Sequence, residues 1–164
     1  MRKKLKSLST FVSILRIMAF FSKRSIFDRF TFAITKKNAK LNIRLNNPTI
    51  ADNVSDLAKT WKQLMPSDGQ HLFKITELSE NTAYAEIHLH CPLRGTGNVE
   101  ACHKLMNYDR TLMEKVGGEL VVLESQSNSG KNYCSLAIRE KGENMSDLIP
   151  AHKITSYNNG IIHC

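Results

Sequence analysis

Residues 83–140 read AYAEIHLHCPLRGTGNVEACHKLMNYDRTLMEKVGGELVVLESQSNSGKNYCSLAIRE. From 83 to 91, small or apolar residues alternate with polar ones, which is the period of a strand with one buried face. Residues 119–125 and 132–139 also read as strands and flank a turn rich in Ser, Asn and Gly. This pair predicts a second β-hairpin with one apolar face.

A helical period separates these strand patterns. Asn98 is a suitable N-cap, and apolar residues then recur every three or four positions as far as Val116, after which Gly117-Gly118 ends the helix. An additional strand pattern at 71–78 pairs with 83–91 across a polar turn. The order hairpin, helix, hairpin (ββαββ) predicts an α+β fold, an antiparallel sheet with helices packed on one face.

The part of the chain before this region is predicted to be mainly helical. Residues 50–65 predict an amphipathic helix whose apolar face includes Trp61, and residues 22–47 predict a helix followed by a connecting strand or loop. We therefore divide the chain into a basic amphipathic helical segment (1–47), an α+β domain (48–145) and a weakly ordered tail (146–164).

The composition is that of an ordinary globular protein, but its charge is uneven. Hydrophobic residues make up 41% and charged residues 23% of the 164 residues, which excludes collagen-like, low-complexity and multi-span membrane proteins. Residues 1–45 hold twelve of the 23 Lys and Arg and one acidic residue, so the rest of the chain is mildly acidic. A nucleic-acid-binding domain carries its positive charge on the folded body, so we do not expect nucleic acid as a partner.

Residues 2–24 predict a basic amphipathic helix with two open interpretations. The helix either docks on its own domain or lies on an anionic membrane surface. The unbroken apolar run at 17–21 is far shorter than the roughly 20 residues of a transmembrane helix, and Arg16 interrupts the apolar core that a signal peptide requires. We expect a cytoplasmic protein, or one peripheral to the inner face of the membrane, with Met18 as an alternative start to Met1.

The four cysteines, at 91, 102, 134 and 164, are too widely spaced for a disulfide scaffold or a CxxC zinc site. Cys91 and Cys134 lie on the apolar faces of different predicted strands, and Cys102 lies on the apolar stripe of the intervening helix, so these thiols are expected to converge. A converging set suits a nucleophile or a metal site, and small core hydrophobes are the alternative. Cys91 is the favoured nucleophile, because His90, Arg94 and the start of the next helix lower the pKa of a nearby thiol.

Polar groups near the thiols extend this candidate site. Asp109 falls near the buried stripe of the helix, where burial raises the pKa of a carboxyl group and suits it to acid–base work. A partly exposed aspartate paired with Arg110 or Lys104 is the alternative. Gly95 and Gly97 precede the helix, beside Arg94, and form either an anion cradle or a tight turn that leads into the helix cap.

Histidines offer one additional possibility. His88 and His90 share a strand face, about 7 Å apart, and can chelate a metal ion with His103. The alternative is that they face solvent beside Tyr84 and Glu86. We predict neither a metal nor another cofactor, a small molecule as the partner, and an undetermined oligomeric state.

Three short motifs carry a family resemblance: Cys91-Pro92 after the second strand, Tyr108-Asp109-Arg110 on the helix, and Gly130 followed by Cys134. With them, residues 85–140 resemble the C-terminal half of the L-2-amino-thiazoline-4-carboxylic acid hydrolase-like family and, in outline, 4-vinyl-reductase domains.

Two positions depart from the family pattern. Met106 stands where the family has a helix cysteine, with Cys102 one turn earlier. Gln126 stands where zinc-binding sensors of the 4-vinyl-reductase type have another cysteine.

The resemblance implies that water opens a small anionic ring containing sulfur and nitrogen. Cys91 would be the nucleophile or a wall of the site, Asp109 the acid–base group and Arg94 the clamp on the substrate carboxylate. The remaining candidates are His90 and Cys134 for catalysis, and Gly95, Gly97, Cys102 and Tyr108 for substrate binding. The alternatives are a non-catalytic small-molecule or metal-binding sensor module, and a peripheral membrane or partner-binding protein.

Overall fold

The computed structural model describes residues 7–154, which form five α-helices and a four-stranded sheet. The helices are α1 (Leu8–Ser22), α2 (Asp28–Asn46), α3 (Val54–Gln63), α4 (Val99–Leu105) and α5 (Asn107–Lys115). The strands are β1 (Phe73–Leu78), β2 (Ala83–Ile87), β3 (Gly118–Glu124) and β4 (Cys134–Glu140). Short 3-10 turns lie at Ser25–Phe27, Gln70–Leu72 and Ala151–Lys153. This architecture confirms the predicted α+β class.

The sheet has the order β1-β2-β4-β3, and all neighbouring strands are antiparallel. The two predicted hairpins therefore meet along β2 and β4, where Ala85 lies opposite Leu136 and Ile87 opposite Cys134. Ala85 and Leu136 are fully buried. This register places Cys134 at the end of the sheet where β2 stops.

The helices lie in two layers over the buried face of the sheet. α3 contacts β1, β2 and β4, and α5 contacts β3, whereas α1 and α2 pack mainly against α4 and α5. Met18 and Ala19 of α1 and Ala39 of α2 belong to the same hydrophobic core as Leu136 of the sheet. In the described part of the chain, the buried side of α1 is thus docked on its own domain, as the first of the two interpretations expects, while Ile14, Ile17 and Phe20 are exposed.

α2 corrects the prediction for residues 22–47, because helix continues where a strand or loop was expected. Its buried positions recur at helical spacing and are small or polar: Thr31, Thr35, Ala39 and Asn42. The helix ends where Asn47 adopts a left-handed conformation (φ 45°) and donates its N–H to the carbonyl of Ile43 over 2.7 Å, directly before Pro48. Small buried residues allow α2 to approach α5 closely.

The helix predicted at 98–116 consists of two helices that meet at Met106. Asn98 caps α4 as expected, because its side-chain oxygen accepts the N–H of Ala101 over 2.8 Å. Both helices contribute to the space beneath α1 and α2, because Cys102 and Leu105 of α4 and Tyr108 and Asp109 of α5 line the same cavity.

β2 ends at Ile87, although its alternating pattern extends to Cys91. Beyond the end of β2, the side chain of Gln126 forms the hydrogen bonds that a neighbouring strand would otherwise form. Its Nε2 donates to the carbonyl of Leu89 over 2.8 Å, and its Oε1 accepts the N–H of Cys91 over 3.2 Å. A buried side-chain amide thus satisfies backbone groups that the strand pattern assigned to a sheet.

Residues 146–154 are the described part of the predicted tail, and they contact the sheet. The guanidinium group of Arg139 forms two hydrogen bonds of 2.7 Å with the carboxylate of Asp147, and its Nε donates to Thr82 over 2.7 Å. Leu148 and Ala151 are buried. Predictions for 1–6 and 155–164 lie outside the described residues. Among residues 7–154, no helix combines the length and the apolar character needed to cross a membrane.

Candidate functional site

A cavity of about 140 Å³ lies between the α1–α2 layer and the elements beneath it. Phe11, Leu15 and Met18 line it from α1, and Thr35 and Leu41 line it from α2. The opposite walls come from α4, α5 and the sheet: Phe73, Ile87, Leu89, Leu105, Met106 and the polar or thiol-bearing residues described below. The walls are predominantly apolar, as in most small-molecule sites.

The three cysteines predicted to converge all line this cavity: Cys91, Cys102 and Cys134. Cys134 begins β4, Cys91 follows β2 and Cys102 points inward from α4, so three separate elements supply the thiols. Each thiol is free, and each contacts the hydrophobic core or lies within it. The convergence that the sequence pattern indicated is therefore present in the structure.

Cys102 and Cys134 are neighbours at the cavity wall, and each thiol affects the protonation of the other. Their interaction raises the pKa of Cys134 and lowers that of Cys102, so Cys102 is the thiol of the pair that loses its proton first. Burial raises the pKa of both thiols, whereas the Ser125 hydroxyl lowers the pKa of Cys102. The backbone N–H of Gln126 also donates to Cys134 Sγ over 3.4 Å, which fixes this thiol at the cavity wall.

Cys91 differs from the expected nucleophile. Burial raises the pKa of its thiol to about 11, and the N–H of Leu93, 3.4 Å from the sulfur, offsets this only in part. His90 and Arg94, whose charges were expected to lower this pKa, are both exposed and do not line the cavity. At neutral pH the Cys91 thiol keeps its proton and is a weak nucleophile.

Asp109 provides the carboxyl group of the cavity. It is buried in the first turn of α5, and the indole N–H of Trp61 donates to its Oδ1 over 3.0 Å. Burial raises its pKa to about 6. The hydrogen bond from Trp61 and the nearby charge of Arg110 act in the opposite direction and limit this rise. About nine-tenths of the group is therefore ionised at pH 7. Among residues 7–154, Trp61 is the only other residue that donates a hydrogen bond to this carboxyl group.

Tyr108 also lines the cavity but is held by structural contacts. Asn42 donates its Nδ2–H to the Tyr108 hydroxyl over 2.6 Å and to the carbonyl of Leu64 over 2.8 Å. Phe11 packs edge-on against the Tyr108 ring, with 5.9 Å between the ring centroids. Burial raises the pKa of Tyr108, so the hydroxyl stays neutral and ties α2 to α5.

The loop that contains Arg94, Gly95 and Gly97 lies outside the cavity. Both glycines have positive φ, 67° and 70°, which favours glycine at these turn positions. Their N–H groups donate to the carbonyls of Gln126 and Ser127 over 3.0 and 2.8 Å. Because both groups are used within the protein, the loop presents a tight turn rather than an anion cradle.

The histidines are dispersed. His88 contacts Glu86 over 2.7 Å and stacks on Tyr133, whereas His103 lies against His152 on the far side of α4, with 3.8 Å between ring centroids. Within the described part of the chain, no three His, Cys, Asp or Glu side chains are grouped so that they can hold a metal ion.

Sequence reasoning did not include three contributors to the site: Gln126, Trp61 and the inner face of α1. Gln126 stood out only as a departure from a family pattern, and Trp61 only as an apolar-face residue. No signal in the sequence indicated that α1 and α2 would form the roof of a cavity, because that arrangement depends on contacts between distant segments.

Comparison of the chain with protein-family models, with curated proteins and with solved structures found no significant match. The resemblance to the hydrolase-like family therefore stays a prediction, and the function is argued from the geometry of the site.

Proposed function

We propose that this protein binds, without chemical turnover, a small and mainly apolar molecule in the cavity between its helical layers. The observation that carries this proposal is the cavity itself, with its apolar walls and its single buried carboxyl group. An engineered cavity of about 150 Å³ holds benzene, so a volume of this size suits a ring or a short alkyl group. This is the small-molecule-binding alternative set out from the sequence.

Asp109 defines the polar end of the ligand. An ionised carboxylate in an apolar cavity is stabilised by a donor, and an ammonium or amide N–H supplies one. The indole N–H of Trp61 already donates to Oδ1 of Asp109, so Oδ2 is the oxygen that accepts a hydrogen bond from the ligand. We infer an apolar ligand that bears one hydrogen-bond-donating group, with an amine as the preferred case.

The protonation state of the thiols favours ligand binding over nucleophilic chemistry. A pKa of about 11 leaves on the order of one Cys91 thiol in 10,000 ionised at pH 7. The pKa of Cys134 is raised as well, so this thiol also keeps its proton, and Cys102, whose pKa is lowered, is buried. Neutral thiols pack as small apolar groups, which is how they function as cavity walls.

A titration with 4-fluorobenzylamine, followed by ¹⁹F NMR, tests the proposal on the full chain. We expect saturable binding at pH 7.5, and at least tenfold weaker binding to Asp109→Asn, because the ammonium loses its carboxylate partner. Binding should also weaken below pH 6, where Asp109 becomes protonated. Unsaturable binding by the folded protein would overturn the proposal.

A matched pair of variants on α1 locates the ligand. Leu15→Phe adds a ring inside the cavity, whereas Ile17→Phe adds the same ring on the exposed side of the helix, where Ile17 is 55% exposed. Leu15→Phe should abolish binding and Ile17→Phe should leave it unchanged. Equal binding by both variants would place the ligand elsewhere.

A hydrolase-like activity is the second candidate, and it rests on the presence of Cys91 and Asp109 in one cavity. Arg94, the implied carboxylate clamp, lies outside. Incubation with 2-amino-thiazoline-4-carboxylate tests it directly. Ring opening that is lost in Cys91→Ser would support the enzyme, and unchanged substrate with the folded protein would exclude this reaction.

A further inference from the structure

Exposed apolar side chains are concentrated on the two N-terminal helices. Ile14, Ile17 and Phe20 recur every three residues and therefore lie on one face of α1, where they are 36%, 55% and 56% exposed. Ile26, between the helices, and Phe30, on α2, are also exposed, and the Phe21 ring packs against both Phe20 and Phe30. We call the exposed side of α1 and α2 the helical face. Contiguous exposed apolar groups of this kind mark an interaction surface.

The helical face is also strongly basic. Between residues 8 and 46 there are eight Lys and Arg, all exposed, and one acidic residue, Asp28. Asp28 pairs with Lys104 of α4, so its charge is already compensated. Within residues 7–154, none of the eight cations pairs with an acidic side chain. Arg24 lies over the Phe20 ring at 4.6 Å, which places a cation beside an exposed aromatic group.

We propose that the helical face docks on an anionic membrane surface and that the cavity receives its ligand from the lipid. Interfacial helices bury an apolar face at the boundary between headgroups and acyl chains while their cations contact anionic headgroups. A protein partner would need matched acidic groups at fixed positions, whereas exposed flexible cations match a fluid layer of anionic lipids without fixed geometry. The second part of the proposal rests on the proposed ligand-binding function.

The position of the cavity connects docking with ligand entry. Ile14 of α1 and Leu41 of α2 are both exposed and both line the cavity, so its mouth lies between the helices on the helical face. Met18 lies deeper, and Cys102 and Asp109 belong to the walls beneath. A small apolar amine dissolved in a docked membrane can enter between Ile14 and Leu41 without crossing water.

Cosedimentation of the full chain with vesicles tests the docking step. We expect binding to vesicles of equal parts phosphatidylcholine and phosphatidylglycerol, little binding to phosphatidylcholine alone, and weaker binding in high salt. Lys36→Gln combined with Lys40→Gln should lower the affinity on the order of 20-fold, because each cation near an anionic surface contributes about fivefold. Equal binding to both vesicle types would overturn an electrostatic docking surface.

The apolar part of the docking surface has its own matched control. Ile17→Ser combined with Phe20→Ser changes neither the cavity lining nor the charge, and should weaken vesicle binding at least tenfold. Ile149→Ser removes an equally exposed apolar residue far along the chain, 63% exposed, and should have no effect. If the wild type is a dimer that does not bind vesicles and the double variant is a monomer, the helical face binds a second copy of the chain and the proposal is wrong.

Trp61 reports on the entry step, because it is the only tryptophan of the chain and its indole contacts Asp109 at the cavity. Phosphatidylglycerol-containing vesicles loaded with 4-bromobenzylamine, whose bromine quenches tryptophan, should quench its fluorescence in the wild type more than the same amount of the amine without vesicles. Leu15→Phe should dock equally well but show no quenching, because the added ring fills the cavity.

Docking without quenching in the wild type would overturn entry from the lipid and leave the docking surface in place. Binding of 4-fluorobenzylamine without vesicles is measured separately. A failure of the membrane proposal is therefore distinguishable from a failure of the ligand-binding function.

Discussion

The indole N–H of Trp61 donates to Oδ1 of Asp109 over 3.0 Å, and neither side chain has appreciable contact with solvent. This contact joins α3 to α5 beneath the cavity. A hydrogen bond to a charged acceptor contributes about 1.5–3 kcal/mol, so Asp109 holds a structural role in addition to its place in the cavity wall.

Replacement of Trp61 by Phe should lower the free energy of unfolding by about 3 kcal/mol, through the lost hydrogen bond and the smaller ring. Urea denaturation measures this change. The matched comparison is the same substitution in an Asp109→Asn background, where the loss should be smaller because the acceptor is already neutral. A loss within about 0.5 kcal/mol in the wild-type background would show that the hydrogen bond is energetically unimportant.

This pair also shows the limit of what the sequence can predict. The apolar period around Trp61 placed it in the core, and the helical repeat placed Asp109 near a buried stripe, so both local predictions are consistent with the structure. Their contact joins residues 48 positions apart, and periodicity carries no information about which distant faces meet. The same reason explains why the roof formed by α1 and α2 was missed.

Local patterns predicted the hairpins because strand alternation is set by which side chains face the core. These patterns did not predict the role of Gln126. Its side chain, in place of a neighbouring strand, forms hydrogen bonds with the backbone after β2. The patterns also failed for the electrostatics of Cys91, because the loop directs Arg94 and His90 outward. Proximity in sequence is a poor guide to the environment of a thiol when the intervening chain turns.

The pH dependence of stability should contain two opposing contributions. The pKa of Asp109 is raised from 3.8 to about 6 in the folded state, so its contribution is fully present below about pH 4 and is lost as pH rises through about 6. The difference corresponds to about 3 kcal/mol. In contrast, burial lowers the pKa of His103 to about 4, so its contribution is present above pH 6.5 and is lost as pH falls through about 4.

Two variants separate these contributions in urea denaturation between pH 4 and pH 7. His103→Gln should become more stable toward the acid end, since the Asp109 contribution is then unopposed. Asp109→Asn should become less stable toward the acid end. The same slope in both variants would contradict the assignment of either group.

Cys91 should react slowly with alkylating reagents, although it lies in a cavity. Burial raises the pKa of its thiol from 9.0 to about 11, which lowers the thiolate fraction at pH 7 about 100-fold. Iodoacetamide labelling, with each cysteine followed by peptide mass spectrometry, measures the rate against a cysteine-containing model peptide. A Cys91 rate equal to that of the peptide would contradict the raised pKa and would favour the hydrolase-like candidate.

Gln126 should be among the most stabilising polar side chains in the protein. It is 1% exposed, and it bridges the backbone of Leu89 and Cys91 where β2 ends. Gln126→Ala leaves a partly buried N–H and a buried carbonyl without that partner, and should lower the free energy of unfolding by about 3 kcal/mol. Gln63→Ala, at an exposed position of α3, is the matched control and should change stability by less than about 0.5 kcal/mol.

Amide hydrogen exchange gives an independent measure of the same bridge. The Cys91 amide should exchange faster in Gln126→Ala by more than the change in global stability accounts for, because its acceptor is the deleted side chain. Since Cys91 and Leu89 both line the cavity, loosening this segment should also weaken 4-fluorobenzylamine binding. If Gln126→Ala costs no more stability than Gln63→Ala, the backbone after β2 is held by other contacts, and Gln126 merely fills space.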